Sequence, residues 1–280
     1  MPLYSDPDLK KYIVFLLVFL SFASCAQNVN VCSWNLQNFG KSKSDNELAY
    51  IAQVIRKFDV VAIQEVVAGY GGSQAVARLA DELNRKGSKW DYTISGSTSG
   101  SGNSKERYAF LWNTAKIKKI GEAWLEQTYQ EEIDREPYFC RFAVGSKTFT
   151  MTTFHARPKS KQPETEIKYF KFMPTLYPGD NLIFCGDFNL PQSHTVFNPL
   201  KKMGYVPAFE GQKTTLKQEC VKGDCLASEY DNFYFKAAGL NMITSGIVHF
   251  YNDFESAGAA RTISDHVPIF LNFSLGTLAR

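Results

Sequence analysis

Two of the most apolar runs in the chain, Val60-Val61-Ala62-Ile63 and Leu182-Ile183-Phe184, lead into acids: Glu65 in the first case, Asp187 in the second. An unbroken apolar run of this length suits a strand covered on both faces. An acid at its end is costly to bury unless it is paired or holds a cation. The pattern recurs along the chain. Asn35 ends the run that begins at Val29, and His155 ends Thr-Met-Thr-Thr-Phe-His. Asn189 follows Asp187, Asp231 opens Asp-Asn-Phe, and Asp265-His266 opens Val-Pro-Ile-Phe. In α/β sheets the C-terminal strand ends gather at one rim, where groups distant in sequence converge. One such residue alone is usually a cap or turn. A set of them predicts a site.

The remaining apolar runs set the architecture. Strands are predicted over 29–34, 60–66, 92–95, 108–112, 147–154, 181–185, 230–235, 247–251 and 267–273. Helical spacing places Leu48, Ile51, Ala52 and Ile55 on one face of 46–58, and Val76, Leu79, Ala80 and Leu83 on one face of 74–86. It is weaker over 164–176 and 194–203. Residues 95–103, rich in Ser and Gly, read as a flexible loop. With no Pro-rich linker and no repeat, the expectation is a single α/β domain over 28–275. Its fold class is a four-layer α/β/β/α sandwich, two packed β-sheets with helices outside. The 280 residues carry a net charge of +3. That excludes a polybasic tail and a fold held open by self-repulsion.

Lys10 and Lys11 precede an apolar run from Tyr12 to Leu20, then Ser21, Ala23 and Ser24 before Cys25. The run falls short of the roughly 20 residues that a spanning helix needs. Residues 1–24 therefore predict a signal peptide. The segment resembles a bacterial lipoprotein signal with Cys25 as the lipid-bearing first mature residue, although Phe22 stands where that pattern has Leu. The expected location is outside the cytoplasm: periplasmic, on the outer membrane or cell surface, or secreted. Contact with membrane would be through the anchor alone. Cys220 and Cys225 flank a short polar turn that a disulfide would clip. Cys32, Cys140 and Cys185 sit in strand-like apolar runs and read as small buried hydrophobes.

Carboxylate and amide oxygens without thiolates are the donor set of Mg²⁺, with Mn²⁺ or Ca²⁺ as alternatives. Two histidines beside them, His155 and His266, supply the acid and base that phosphate ester hydrolysis needs. His194 follows a Pro-Gln-Ser turn and reads as a surface residue. His249 lies in an apolar run and reads as structural.

Trp-Asn35-Leu, Ile-Gln-Glu65-Val, Phe-His155, Gly-Asp187-Phe-Asn189 and Ser-Asp265-His266-Val-Pro together resemble the endonuclease/exonuclease/phosphatase superfamily, in family order from Val29 to Phe273. Lys105-Glu106-Arg107-Tyr108, Arg135-Glu136-Pro137 and Tyr230-Asp231 resemble its deoxyribonuclease I-like branch. The resemblance implies that Glu65 is the central metal ligand, helped by Asn35, with Asp265 close by. It implies that Glu106 orients His155 and Asp231 orients His266. Asp187 and Asn189 would hold the attacking water and bind a phosphate oxygen, and Arg135 would grip phosphate.

Departures bear on substrate. Val67 and Ser104 stand where that branch places an Arg and a Tyr in the minor groove, and Gln37 replaces a basic residue. Lys41, Lys43, Arg157, Lys159 and Lys161 lie in loops near the proposed rim and are candidates to grip a polyanion. The activity expected is an exported, metal-dependent, monomeric endonuclease acting on DNA with low sequence specificity. The alternatives are a phosphodiesterase or phosphatase on a lipid head group or sugar phosphate, and a non-catalytic surface lipoprotein.

Overall fold

The computed structural model describes residues 28–85, 87–100 and 105–276. The predicted leader with Cys25, and Ser104, lie outside the described residues. Two six-stranded sheets stack face to face. The first runs in the order β13 (Leu240–Ile247), β14 (Ile269–Leu275), β1 (Asn28–Phe39), β2 (Val60–Val67), β4 (Glu106–Asn113), β3 (Trp90–Ile94). The second runs β5 (Lys118–Leu125), β6 (Tyr138–Val144), β7 (Lys147–His155), β8 (Leu182–Asp187), β12 (Asp231–Lys236), β9 (Tyr205–Pro207). A separate hairpin pairs β10 (Leu216–Val221) with β11 (Asp224–Leu226).

Alternation along the central strands builds three apolar layers. Val60 and Ala62 point between the sheets, toward Phe142, Met151, Ile183 and Phe233. Val61 and Ile63 point the other way, against Leu48 and Ile51 of α1 (Asp45–Ile55) and Val76 and Leu79 of α2 (Tyr70–Asn84). Leu182 and Phe184 likewise face outward onto Phe170, Phe197 and Leu200. This is why those strands are apolar at every position, and it is the expected four-layer α/β/β/α sandwich.

Capping sets where α1 begins. Ser44 Oγ accepts from the Glu47 N–H at 3.3 Å, and the Glu47 carboxylate accepts from the Ser44 N–H at 2.7 Å. Such a box contributes about 1 kcal/mol. The helix predicted over 74–86 starts earlier, at Tyr70, because Gly69 caps it and Gly71 and Gly72 fill its first turn. Gly72 is required there: a Cβ would meet the Val67 carbonyl oxygen at 2.0 Å.

The outer helices of the second sheet differ from expectation. The stretch 164–176 is broken into α3 (Glu164–Ile167), a 3₁₀ turn and α4 (Met173–Leu176), since Pro174 has no N–H for a continuous ladder. The stretch 194–203 is a 3₁₀ turn followed by α5 (Asn198–Lys202), with Pro199 in its first turn. A last short helix, α6, spans Ala257–Ala260.

The strand predicted over 247–251 is corrected. β13 ends at Ile247, and Phe250–Asp253 forms a 3₁₀ turn. His249 is exposed, its Nδ1 2.7 Å from the Tyr251 hydroxyl, and not a structural core residue. His194 is half-buried and accepts the Val196 N–H on Nδ1 at 3.2 Å. The described part of the 95–103 loop is bonded rather than loose. Thr98 exchanges bonds with the Glu106 backbone, and Ser95 does so with Tyr108.

β1 runs parallel to β2, and β7 parallel to β8. Their C-terminal ends point to one rim, where the antiparallel strands β4, β12 and β14 begin. Glu106 lies opposite Val67, and Asp231 and His155 each lie opposite Asp187.

Candidate active site

A cleft of about 490 Å³ opens at this rim, lined by Glu65, Glu106, Arg135, His155, Asp187, Asn189 and His266 among others. Backbone irregularities aim several of them. Glu65 follows a break in the β2 register and has φ 58°, and Asn189 has φ 51°. Left-handed backbone at non-glycine residues costs of order 1–3 kcal/mol, and such outliers gather at functional sites. Gly186 has φ 127°, and a Cβ there would stand 2.0 Å from the Phe154 carbonyl oxygen. The Gly in Gly-Asp187 is what lets β7 and β8 close up beneath His155 and Asp187.

Two buried carboxylate–imidazole pairs flank the cleft floor. Glu106 places Oε1 and Oε2 at 3.1 and 3.0 Å from His155 Nδ1. Asp231 Oδ2 stands 2.8 Å from His266 Nδ1. A carboxylate is an acceptor, so Nδ1 carries the proton in both rings and Nε2 is turned to the cleft. Both Nε2 atoms lie 3.5 Å from the same oxygen, Asp187 Oδ2. Burial and Arg135 oppose charge on His155, but Glu106 and Asp187 together outweigh them and raise its pKa above 6.5. Burial opposes charge on His266 too; Asp231 and Asp187 outweigh it, and the pKa is raised to about 10.

Arg135 does not stand free in the cleft as a phosphate grip. Its Nη1 donates to Glu106 Oε2 at 3.0 Å, and its Nη2 donates to the Ala156 carbonyl. The 3.1 Å between that Nη1 and His155 Nδ1 is then the separation of two donors sharing one acceptor. Tyr108, fully buried, completes the cluster by accepting the His155 N–H at 3.2 Å and donating to the Arg135 carbonyl at 3.3 Å. Sequence reasoning gave Tyr108 no role; its position in Lys-Glu-Arg-Tyr was the available signal.

On the other side, Asn35 Nδ2 donates to Glu65 Oε1 at 3.1 Å and to Asp187 Oδ2 at 3.2 Å. The Asn38 N–H donates to Glu65 Oε2 at 2.9 Å. Asn35 Oδ1 is buried without a hydrogen-bond partner. An orphaned amide oxygen beside a carboxylate fits a hard cation. Asp187, Asp231 and His266 also bring ligand atoms within 4.8 Å of one another. There His266 Nδ1 faces Asp231 at 2.8 Å, which leaves Nε2, 3.5 Å from Asp187 Oδ2, as the atom that ring could offer a metal.

Asp265 Oδ2 accepts from Gln37 Nε2 at 3.3 Å and from Arg261 Nη2 at 3.4 Å. Asn189 lines the cleft, with its N–H on Asp187 Oδ1 at 2.9 Å and its Nδ2 on the Ala156 carbonyl at 3.0 Å.

Among the loop cations, Lys43 is corrected. It is buried and donates to the Thr262 and Ile263 carbonyls, both at 2.7 Å. Arg157 is tied to the buried Glu166 at 3.2 Å. Lys41, Lys105, Lys159 and Lys161 are exposed, and Lys105 lines the cleft.

Cys220 and Cys225 form a disulfide. Cys32, Cys140 and Cys185 are buried free thiols, and burial pushes Cys140 and Cys185 up to about 12.

Known proteins with this arrangement can be identified. The model of the endonuclease/exonuclease/phosphatase family matches residues 32–266. A deoxyribonuclease of Thioalkalivibrio sp. (strain K90mix) is 29% identical, over 95% of this chain and 76% of its own length. Deoxyribonuclease gamma of Rattus norvegicus is 26% identical, over 92% of this chain and 88% of its own. A solved endonuclease/exonuclease/phosphatase family protein from Bacteroides thetaiotaomicron superposes with a TM-score of 0.66 at 16% identity, covering 89% of this chain and 98% of that one. The chain therefore belongs to the endonuclease/exonuclease/phosphatase family.

Proposed function

We propose that the chain is an exported, divalent-metal-dependent endonuclease that hydrolyses DNA phosphodiester bonds with low sequence specificity. The observation that carries this reading is the pair of carboxylate-held imidazoles, both 3.5 Å from one Asp187 oxygen, together with Glu65, bonded to Asn35 Nδ2, and the unpartnered Asn35 Oδ1. The deoxyribonuclease names of the two relatives support DNA as the substrate.

Glu65 and Asn35 Oδ1 would hold the cation, with Mg²⁺ first and Mn²⁺ or Ca²⁺ as alternatives. When bound it supplies positive charge against the charge that builds on phosphorus in the transition state. One imidazole takes a proton from water through Nε2 as the water oxygen bonds phosphorus. The other gives its Nε2 proton to the ester oxygen as that bond breaks. Glu106 and Asp231 hold the two rings in the tautomer this exchange requires. Asp187 orients the water between the imidazoles, and Asn189 donates to Asp187 from its backbone.

Residues 28–275 act as one catalytic domain and as a monomer. Residues 1–24 are a leader, and Cys25 carries the lipid of an exported lipoprotein. Val67, exposed on the cleft wall in place of a groove-reading Arg, leaves sequence readout weak.

The test is nicking of supercoiled plasmid with Mg²⁺, with and without chelator, repeated on Glu65→Gln. Nicking lost in both cases supports the reading. Activity that survives chelation or Glu65→Gln overturns it. Turnover of sphingomyelin or a sugar phosphate without nicking would replace it with the family's other chemistry.

A further inference from the structure

Between β9 and β12 the chain leaves the second sheet to form the hairpin β10–β11, clipped by Cys220–Cys225. Its stem is bonded to the catalytic rim on and beside the Asp231–His266 pair. Thr214, fully buried, donates Oγ1–H to Asp231 Oδ2 at 2.6 Å, the oxygen that also faces His266 Nδ1. The same Oγ1 accepts the Asp231 N–H at 3.0 Å. Thr215 forms an antiparallel bridge with His266. The Leu216 N–H donates to the Asp265 carbonyl at 2.7 Å, and the Val267 N–H donates to the Thr214 carbonyl at 2.8 Å.

The two members of the pair sit on different sheets. Asp231 opens β12 in the second sheet, and His266 precedes β14 in the first. No ladder joins them directly; the stem is bonded to both. The stem is closed by the Thr214 N–H on the Ser228 carbonyl at 2.6 Å and the Ala227 N–H on the Thr215 carbonyl at 2.8 Å, over buried Leu216 and Leu226, but the tip beyond is held less well. The β10–β11 register shifts between Leu216 and Val221, and a two-stranded hairpin is marginal by itself. Lys213 and Lys217 reach Asp224 at 3.1 and 2.8 Å, but exposed pairs contribute little. Beyond Leu216 and Leu226 the covalent clip is the constraint that stops the hairpin from fraying back toward Thr214.

We propose that Thr214 is a positioning residue for the Asp231–His266 pair, and that the Cys220–Cys225 bond keeps it in place, so that turnover depends on an oxidised hairpin. This rests on the phosphodiester hydrolase reading of the site. Dithiothreitol breaks the S–S bond, leaving two thiols on the protein and the reagent as its cyclic disulfide. The other described cysteines, Cys32, Cys140 and Cys185, are buried and unbridged, so this is the reagent's one target among the described residues.

The test uses the full chain on plasmid DNA with Mg²⁺. Thr214→Val, which keeps the shape and removes the hydroxyl, lowers kcat about tenfold with KM within about twofold, and Thr214→Ser recovers most of the loss. Dithiothreitol lowers kcat of the parent by about threefold or more and leaves the Cys220→Ser, Cys225→Ser double variant, already lowered, unchanged. Near-ultraviolet circular dichroism checks that each variant folds. The His266 Nδ1–H proton resonance, retained in Thr214→Ser and displaced in Thr214→Val, reads the same contact without DNA. Parental kcat in Thr214→Val, a loss that Ser does not restore, or indifference of the parent to reduction each overturns the proposal. If the parent itself fails to nick plasmid, the nuclease reading falls, and the His266 resonance still decides the role of Thr214.

Discussion

Arg135 and Glu106 form an ion pair, Nη1 to Oε2 at 3.0 Å, with both side chains almost wholly buried. Glu106 thereby answers two cations, Arg135 and His155, from one carboxylate. Arg135→Met leaves Glu106 with His155 alone. The expected outcome is a kcat at least tenfold lower, KM changed by less than about threefold, and a loss of about 3 kcal/mol in urea unfolding. A grip on the substrate phosphate would instead raise KM, so the split between the two constants decides which role Arg135 has.

The His266 imidazole, raised to about 10, makes stability depend on pH in the alkaline range. A group whose pKa is raised on folding stabilises fully below its unfolded value, near 6.5. That contribution is lost as pH climbs toward about 10. With chelator present, the melting temperature should fall over this interval, and Asp231→Asn should flatten the dependence. Following the His266 ring by NMR in both proteins checks the assignment.

At Gly186, φ is 127° and the Phe154 carbonyl oxygen would sit 2.0 Å from any Cβ. Gly186→Ala must therefore part β7 from β8 directly under His155 and Asp187. We expect a loss of more than about 2 kcal/mol in urea unfolding and a matching loss of nicking. Gly258→Ala, where the nearest atom is a serine hydroxyl at 3.8 Å, serves as the control and should leave both within about 0.5 kcal/mol of the parent.

Salt dependence separates the lysines. Lys105, Lys159 and Lys161 are exposed at or near the cleft, whereas Lys43 is spent on two carbonyls. Alanine at each of the first three that contacts phosphate should lower the slope of log affinity against log salt by about one. Lys43→Met should leave that slope alone and lower the melting temperature instead.

The site was legible because its residues interrupt patterns. Glu65 and Asp187 break runs that alternation would otherwise continue, and Asn35 and His155 end theirs with polar side chains. The central strands were legible for the same reason, being apolar on both faces. β5 was not, because none of its side chains is fully buried and Gly121 interrupts it. β13 is also an edge strand, with Asn241 to Thr244 exposed, so no run announces it. Lys43 misled because a lysine in a polar loop is usually solvated, and only the fold brings the Thr262 and Ile263 carbonyls to it. Thr214 left no trace at all. Nothing in Gln-Lys-Thr-Thr says that a hydroxyl will reach a carboxylate 17 residues on.

The placement of β14 beside β1 has a consequence for biosynthesis. Asn35 is made early, but His266 and the strand that flanks β1 follow only after every other described strand. Until then the first sheet lacks a neighbour at its centre, and one of the two imidazoles does not exist. A polypeptide cut short before β14 accordingly lacks both that closure of the first sheet and the Asp231–His266 pair.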